Sequence, residues 1–173
     1  DGGVCDVIVS DISKKADIES LFLSMDRSYD KLDILINAAG IGAYSSAFDM
    51  TEEIWRAIMG HFLDSVFWCC REGGLRMAKT GGGKIVNICS MSGEVVVGNS
   101  ASAYGAAKAG LIHLTRSLAA EWIPERIFVN AISPGMVRTP LTAGMFDDNP
   151  AAVAEMNALI PLGRIAQPVD IVG

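Results

Sequence analysis

Tyr104 and Lys108, in the run Tyr104-Gly-Ala-Ala-Lys108, put a phenol and an ammonium one helical turn apart in an Ala-rich segment. At that spacing both side chains share one face of a helix. A phenol ionises near pH 10 and is a poor acid or base at neutral pH, but a cation beside it favours the phenolate. The pair can therefore work as a general acid/base unit. The same two residues also suit an ordinary solvated helix face, so the chemistry depends on what the rest of the chain places around them.

Four short runs rich in β-branched residues read as buried strands: Val4 to Ser10, Leu32 to Ile36, Lys84 to Ile88 and Arg126 to Ile132. Helical patterns separate them, from Lys15 to Tyr29, from Thr51 to Lys79 and from Ser102 to Trp122. Glu52 and Glu53 suit the first turn of the second helix, and Pro124 stops the third. Strands alternating with helices predict right-handed βαβ units, an α/β fold and a parallel sheet covered on both faces. Gly81-Gly-Gly83 precedes a strand rather than joining strand to helix, and reads as a turn without a phosphate-binding role.

From Pro134 to Pro168 the pattern loosens into segments containing Gly, Pro and Met. A substrate lid is expected over residues 136–165. Met136, Met145, Phe146 and Met156 suit an adaptable apolar wall there, although Met at helical spacing is equally a core residue. No repeat or linker divides the chain, so residues 1–173 read as a single domain. Because it opens with Asp1-Gly-Gly straight into a strand and stops at Val172-Gly173 as a helix begins, the expectation is an excerpt of a longer domain.

With 173 residues, 50% of them hydrophobic, the chain buries a substantial core. Its net charge of −6 and scattered basic residues argue against a nucleic-acid or anionic-membrane partner. No apolar run is long enough to span a bilayer and no signal peptide is recognisable, so the expected setting is the cytoplasm. Cys5, Cys69, Cys70 and Cys89 have neither metal-site nor disulfide-scaffold spacing; all four are expected reduced and buried, and no metal site is expected.

Four motifs occur in order along the chain: Asn37-Ala-Ala-Gly40 at a strand end, Ser90 on a strand-end loop, Tyr104 with Lys108, and Asn130-Ala-Ile-Ser-Pro-Gly135 followed by Met136-Val-Arg-Thr139. Together they resemble the short-chain dehydrogenase/reductase superfamily in its single-domain branch. The resemblance implies a Rossmann-like, doubly wound parallel sheet, incomplete at both ends here, and an NAD(P)-dependent oxidoreductase. Such an enzyme moves a hydride between nicotinamide and a secondary alcohol or ketone. Tyr104 would then exchange a proton with the substrate oxygen, Lys108 would lower the Tyr104 pKa and hold the ribose hydroxyls, and Ser90 would orient the reacting oxygen. Ser92 is the weaker serine, better read as a turn residue before Gly93.

The resemblance also implies a cofactor set. Asp11 would bond the adenine amino group with Ile12 adding backbone contact, although Asp11 equally suits an N-cap for the following helix. Asn37, Ala38, Ala39 and Gly40 would let the backbone approach the adenosine ribose, or form a plain strand-to-loop turn. Pro134, Gly135, Val137 and Thr139 would flank the nicotinamide. NAD or NADP fits, with NAD slightly favoured. Ala120-Glu-Trp122 and Pro161-Leu-Gly-Arg164 are similar to segments of sugar and polyol dehydrogenases. The helices around Phe62 to Cys70 and Leu111 to Trp122 match those that pair family subunits, which implies a homodimer or homotetramer; burial within the monomer fits them as well.

Two departures matter. Phe62 stands where most members carry an asparagine that helps hold a relay water, and phenylalanine cannot hydrogen-bond. His61 points about 100° away around the helix and is not expected to substitute. The family's Gly-rich phosphate turn and closing strand are also absent from this sequence. These departures motivate an alternative, a non-catalytic dinucleotide-binding or structural homologue. Intact Ser90, Tyr104 and Lys108 favour the oxidoreductase.

Overall fold

A computed structural model describes residues 3–42, 45–96, 101–147 and 150–172. The chain forms two compact units, Asp1–Ile132 and Ser133–Gly173. In the first, α1 (Lys15–Ser28) precedes β1 (Ile34–Asn37). A long helical crossover follows: α2 (Glu52–Met59), a π-helical turn (Gly60–Asp64) and α3 (Ser65–Lys79). Then come β2 (Gly83–Ile88), α4 (Ser102–Trp122) and β3 (Ile127–Ile132). The strands form a three-stranded sheet in the order β1-β2-β3, parallel throughout. Asn37 lies in register with Asn87, and Ile88 with Ile132.

Local chemistry sets the element ends. The Thr51 hydroxyl accepts from the Ile54 N–H at 3.2 Å and caps α2, whose first turn carries Glu52 and Glu53 against the helix dipole. α4 gives way at Ile123 to a short turn containing Pro124, and Arg126 takes a left-handed conformation (φ 59°) to turn the chain into β3. The main core joins Cys70 and Met77 of α3, Leu111 and Leu118 of α4, and Ile85, Ile127 and Val129 of the sheet. Burying such side chains contributes about 1.5–3 kcal/mol each. A second core joins Ile18 and Phe22 of α1 to Cys69 of α3.

Three expectations need correction. Residues 4–10 form no strand, and Val4, Val7 and Val9 are exposed. A strand exists by pairing, and no described strand hydrogen-bonds to this segment. The helix expected over Thr51 to Lys79 is interrupted by the wider turn at Gly60–Asp64. Cys5 is exposed, whereas Cys69, Cys70 and Cys89 are buried, and all four are free thiols. Burial pushes the Cys69 thiol up to about 11 and the Cys70 thiol up to about 12. On the sheet, the side chains that alternate with the core positions, Ile34, Ile36 and Phe128, are exposed.

The second unit holds α5 (Ala143–Asp147), α6 (Pro150–Leu159) and α7 (Val169–Val172). Its two ends are tied by a parallel bridge between Val137 and Ala166. Arg164 forks onto Asp170 at 2.7 and 2.9 Å, and Asn157 accepts from the Ile165 N–H. Phe146 is buried under Arg138, whose guanidinium lies 5.1 Å from its ring; the side chain of Met145 lies outside the described residues.

Candidate active site

α4 presents Tyr104 and Lys108 on one face, with the Lys108 ammonium 5.8 Å from the Tyr104 ring centre. Lys108 is 5% exposed and donates to the Ile88 carbonyl, at the end of β2, at 2.7 Å. An ammonium has three hydrogens to donate, and that carbonyl takes one. Phe62 covers another side, its ring centre 4.8 Å from Nζ. Burial pulls the ammonium down to about 8, against a smaller upward pull from Cys89. The phenol of Tyr104 is thus placed beside a cation held by a carbonyl and an aromatic face.

Ser90 hangs from the end of β2. The neighbouring Cys89 N–H donates to Ile132 O at 2.8 Å and carries the ladder to its last rung. The Ser90 hydroxyl oxygen accepts from the Ser92 N–H at 3.1 Å and starts the tight turn Met91–Gly93. Ser92 is therefore the turn residue it was expected to be. With the oxygen engaged as acceptor, the Ser90 hydroxyl hydrogen remains to donate to a ligand.

Asn37 ends β1 and is tied into the sheet. Its side-chain N–H donates to Asn87 Oδ1 at 2.8 Å and to Cys70 Sγ at 3.3 Å. Asn87 in turn donates to Thr115 Oγ1 at 2.9 Å, and Thr115 donates to Leu111 O at 2.8 Å. This chain joins β1, β2 and α4 through buried polar groups, each of which would be costly unpaired. Sequence reasoning missed Asn87 and Thr115. The available signal was an amide inside the otherwise apolar strand Ile85-Val-Asn-Ile88, which must find partners. The side-chain nitrogen of Asn37 is committed to Asn87 and Cys70. Gly40 abuts Phe62: a Cβ on Gly40 would stand 2.7 Å from Phe62 Cε1.

Asp11 bonds the backbone and hydroxyl of Ser13 at 3.1 and 2.7 Å and pairs with Lys14 at 3.0 Å. Those contacts hold its carboxyl down to about 2, and they organise the entry to α1. Ile12 packs against the α1 core. Pro134, Gly135, Val137 and Thr139 belong to the second unit. There Thr142, also missed from sequence, donates to Val137 O at 2.7 Å and accepts from the Thr139 N–H at 2.9 Å, clipping that loop. Among the described residues no group of three His, Cys, Asp or Glu side chains could hold a metal ion.

Asn37 and Ser90 thus stand at the ends of neighbouring parallel strands, with Tyr104 and Lys108 on the helix that follows. A family model described as Enoyl-(Acyl carrier protein) reductase matches residues 1–173. The NAD-dependent glycerol dehydrogenase of Listeria innocua serovar 6a is 38% identical over 165 residues, covering 93% of this chain and 62% of the relative. The galactitol 2-dehydrogenase (L-tagatose-forming) of Cereibacter sphaeroides is 38% identical over 141 residues, covering 81% and 55%. A Beutenbergia cavernae crystal structure, described provisionally as an NAD(P)-dependent gluconate 5-dehydrogenase and holding NADP at low occupancy, superposes with a TM-score of 0.90 at 36% identity. It covers 99% of this chain and 68% of that one. This chain belongs to the short-chain dehydrogenase/reductase superfamily and has its Rossmann-like α/β fold. It spans about three-fifths of the length of those curated relatives.

Proposed function

We propose that the chain belongs to an NAD(P)-dependent oxidoreductase that interconverts a secondary alcohol and a ketone, with a sugar or polyol as substrate. The observation that supports it most is the buried Lys108 ammonium, held by Ile88 O one helical turn from Tyr104. The donor set fits a nicotinamide ribose and a reacting oxygen: Lys108 has ammonium hydrogens beyond the one given to Ile88, and Ser90 has its hydroxyl hydrogen. The dinucleotide, when bound, supplies or accepts the hydride.

Each residue then has a defined task. Tyr104 takes the proton of the substrate hydroxyl in oxidation and returns it to the carbonyl oxygen in reduction. Lys108 favours the phenolate form of Tyr104 and donates to ribose hydroxyls. Ser90 donates to the substrate oxygen and stabilises charge as it develops there. For the cofactor, Asp11 and Ile12 take the adenine, and the backbone of Asn37, Ala38, Ala39 and Gly40 takes its ribose. Pro134, Gly135, Val137 and Thr139 take the nicotinamide, with the Thr142 clip holding their loop in shape. Residues 1–173 form one catalytic domain in this reading, with 136–165 as substrate lid.

Relatives support both cofactors, one being named NAD-dependent and another holding NADP; NAD is slightly favoured. A homodimer or homotetramer and a cytoplasmic setting complete the proposal, and no helix among the described residues is long and apolar enough to cross a membrane. The test is absorbance of reduced nicotinamide in the full-length protein, with glycerol, hexitols and gluconate each offered with NAD and with NADP. No change with any pair would overturn the proposal. The second reading, a non-catalytic homologue, draws on Phe62, whose ring lies against Lys108 where a water-holding asparagine was expected. Cofactor binding without turnover is its signature.

A further inference from the structure

Phe62 touches Gly40, Tyr104 and Lys108 at once. Its ring meets the Tyr104 ring edge to face, with centroids 5.0 Å apart and planes at 86°. The Lys108 ammonium stands 4.8 Å from its centre. Its Cε1 fills the space where a Cβ on Gly40 would lie. The ring is 5% exposed, and Ile58, Ala103 and Ala107 pack around it. It reaches this place from the π-helical turn, whose backbone is fixed by Ser65 Oγ donating to His61 O at 2.7 Å.

An aromatic face attracts a desolvated ammonium through its quadrupole, and an edge-to-face contact holds a neighbouring ring in one orientation. Neither interaction needs water. We propose that Phe62 is a positioning residue of this site, seating the Lys108 ammonium and the Tyr104 ring without water, and that Gly40 is the hole its ring requires. The proposal rests on Tyr104 acting as the acid/base and deepens that reading. The titratable groups facing Lys108 are Tyr104 on its own helix and Cys89 at the end of β2, with Glu94, in the turn beyond Ser90, acting on Cys89. No described carboxylate is ion-paired with Lys108, so the aromatic face is a main support of its charge.

The test uses the full-length protein with Phe62→Leu, Phe62→Asn, Gly40→Ala and the pair Gly40→Ala/Phe62→Leu. The Tyr104 phenol is titrated by ultraviolet difference against Tyr104→Phe, which needs no turnover. Leucine keeps the site dry but removes the face, so the ammonium is less favoured and the Tyr104 pKa rises by about half a unit. Asparagine offers the ammonium an acceptor, and the Tyr104 pKa does not rise. In an active enzyme the kcat profile of Phe62→Leu shifts by the same amount while KM stays within about twofold. Gly40→Ala lowers the melting temperature of the parent, and Phe62→Leu relieves most of that loss in the pair. Phe62→Met takes the place of the leucine variant if that fails to fold. An unmoved phenol titration in the folded leucine or methionine variant, or additive losses in the pair, overturns the proposal. Absence of turnover in the parent defeats the oxidoreductase reading alone, because titration and coupling still decide the role of Phe62.

Discussion

Gly93 lies directly against the backbone of Lys108: a Cβ added to Gly93 would stand 2.7 Å from the Lys108 carbonyl carbon and 2.8 Å from the Ala109 nitrogen. Both neighbours are main chain of α4 and cannot rotate aside as a side chain would. Glycine at this point therefore lets the turn that begins at Ser90 close onto the helix that carries Tyr104 and Lys108. The three residues assigned to the chemistry come from two elements, and Gly93 sets the distance between them.

Gly93→Ala should push that turn off α4. Overpacking of this kind costs about 1–3 kcal/mol, seen as a lower melting temperature of the full-length protein. Because Ser90 moves with the turn, kcat should fall more than KM rises. A variant with parental kcat and melting temperature would show that the contact does not position Ser90.

Tyr104→Phe removes the proton carrier and keeps the ring that meets Phe62. Turnover should fall by about 10²–10⁴-fold, the usual contribution of general acid/base catalysis, while circular dichroism and melting temperature stay near the parent's. Unchanged turnover would remove Tyr104 from the mechanism.

How much of this was legible depends on the range of each signal. α4 runs from Ser102 to Trp122 as its Ala-rich pattern and Pro124 predict, and three strands fall close to their apolar runs. Those are local signals. Val4 to Ser10 carries the same β-branched signal and forms no strand, since a strand also needs a paired neighbour. The π-helical turn at Gly60–Asp64 has no compositional mark distinguishing it from the helices on either side. In the site, the spacing of Tyr104 and Lys108 put them on one face, and the departure at Phe62 stood out against the family pattern. The contacts of Phe62 with Gly40, of Asn37 with Asn87, and of Gly93 with Lys108 join residues far apart in sequence. No local pattern announces such contacts.

Asn87→Leu tests the buried polar chain. The substitution leaves one Asn37 N–H without its acceptor, and takes from the Thr115 hydroxyl, which keeps its own bond to Leu111 O, the donor that it accepts from. Each such group costs about 1–3 kcal/mol, so urea unfolding of the full-length protein should lose several kcal/mol if neither finds water. Asn87→Leu combined with Thr115→Val should recover part of the loss, because one stranded partner is removed. Strictly additive losses would mean that Asn87 and Thr115 are not coupled.

Lys108→Met isolates the burial of the ammonium. The folded-state pKa is about 8, below the 10.5 of an unperturbed lysine, and desolvation is the main cause. Below pH 8 folded and unfolded chains both hold the proton, and the folded protein bears the whole desolvation cost. Between pH 8 and 10.5 the unfolded chain keeps a proton that the folded chain has released, so the parent gains stability as pH rises through that window. Methionine has no charge to desolvate, and forgoes the bond to Ile88 O and the contact of the ammonium with the Phe62 ring. At pH 7 the variant should therefore be more stable than the parent by about 1–3 kcal/mol, while turnover is lost. That advantage should shrink from pH 8 to 10.5 as the parent releases the ammonium proton, because titrating groups that do not face Lys108 are common to both proteins and cancel in the difference. Urea unfolding of the two proteins at a series of pH values measures it. A difference independent of pH would mean that Lys108 is not held against its own charge.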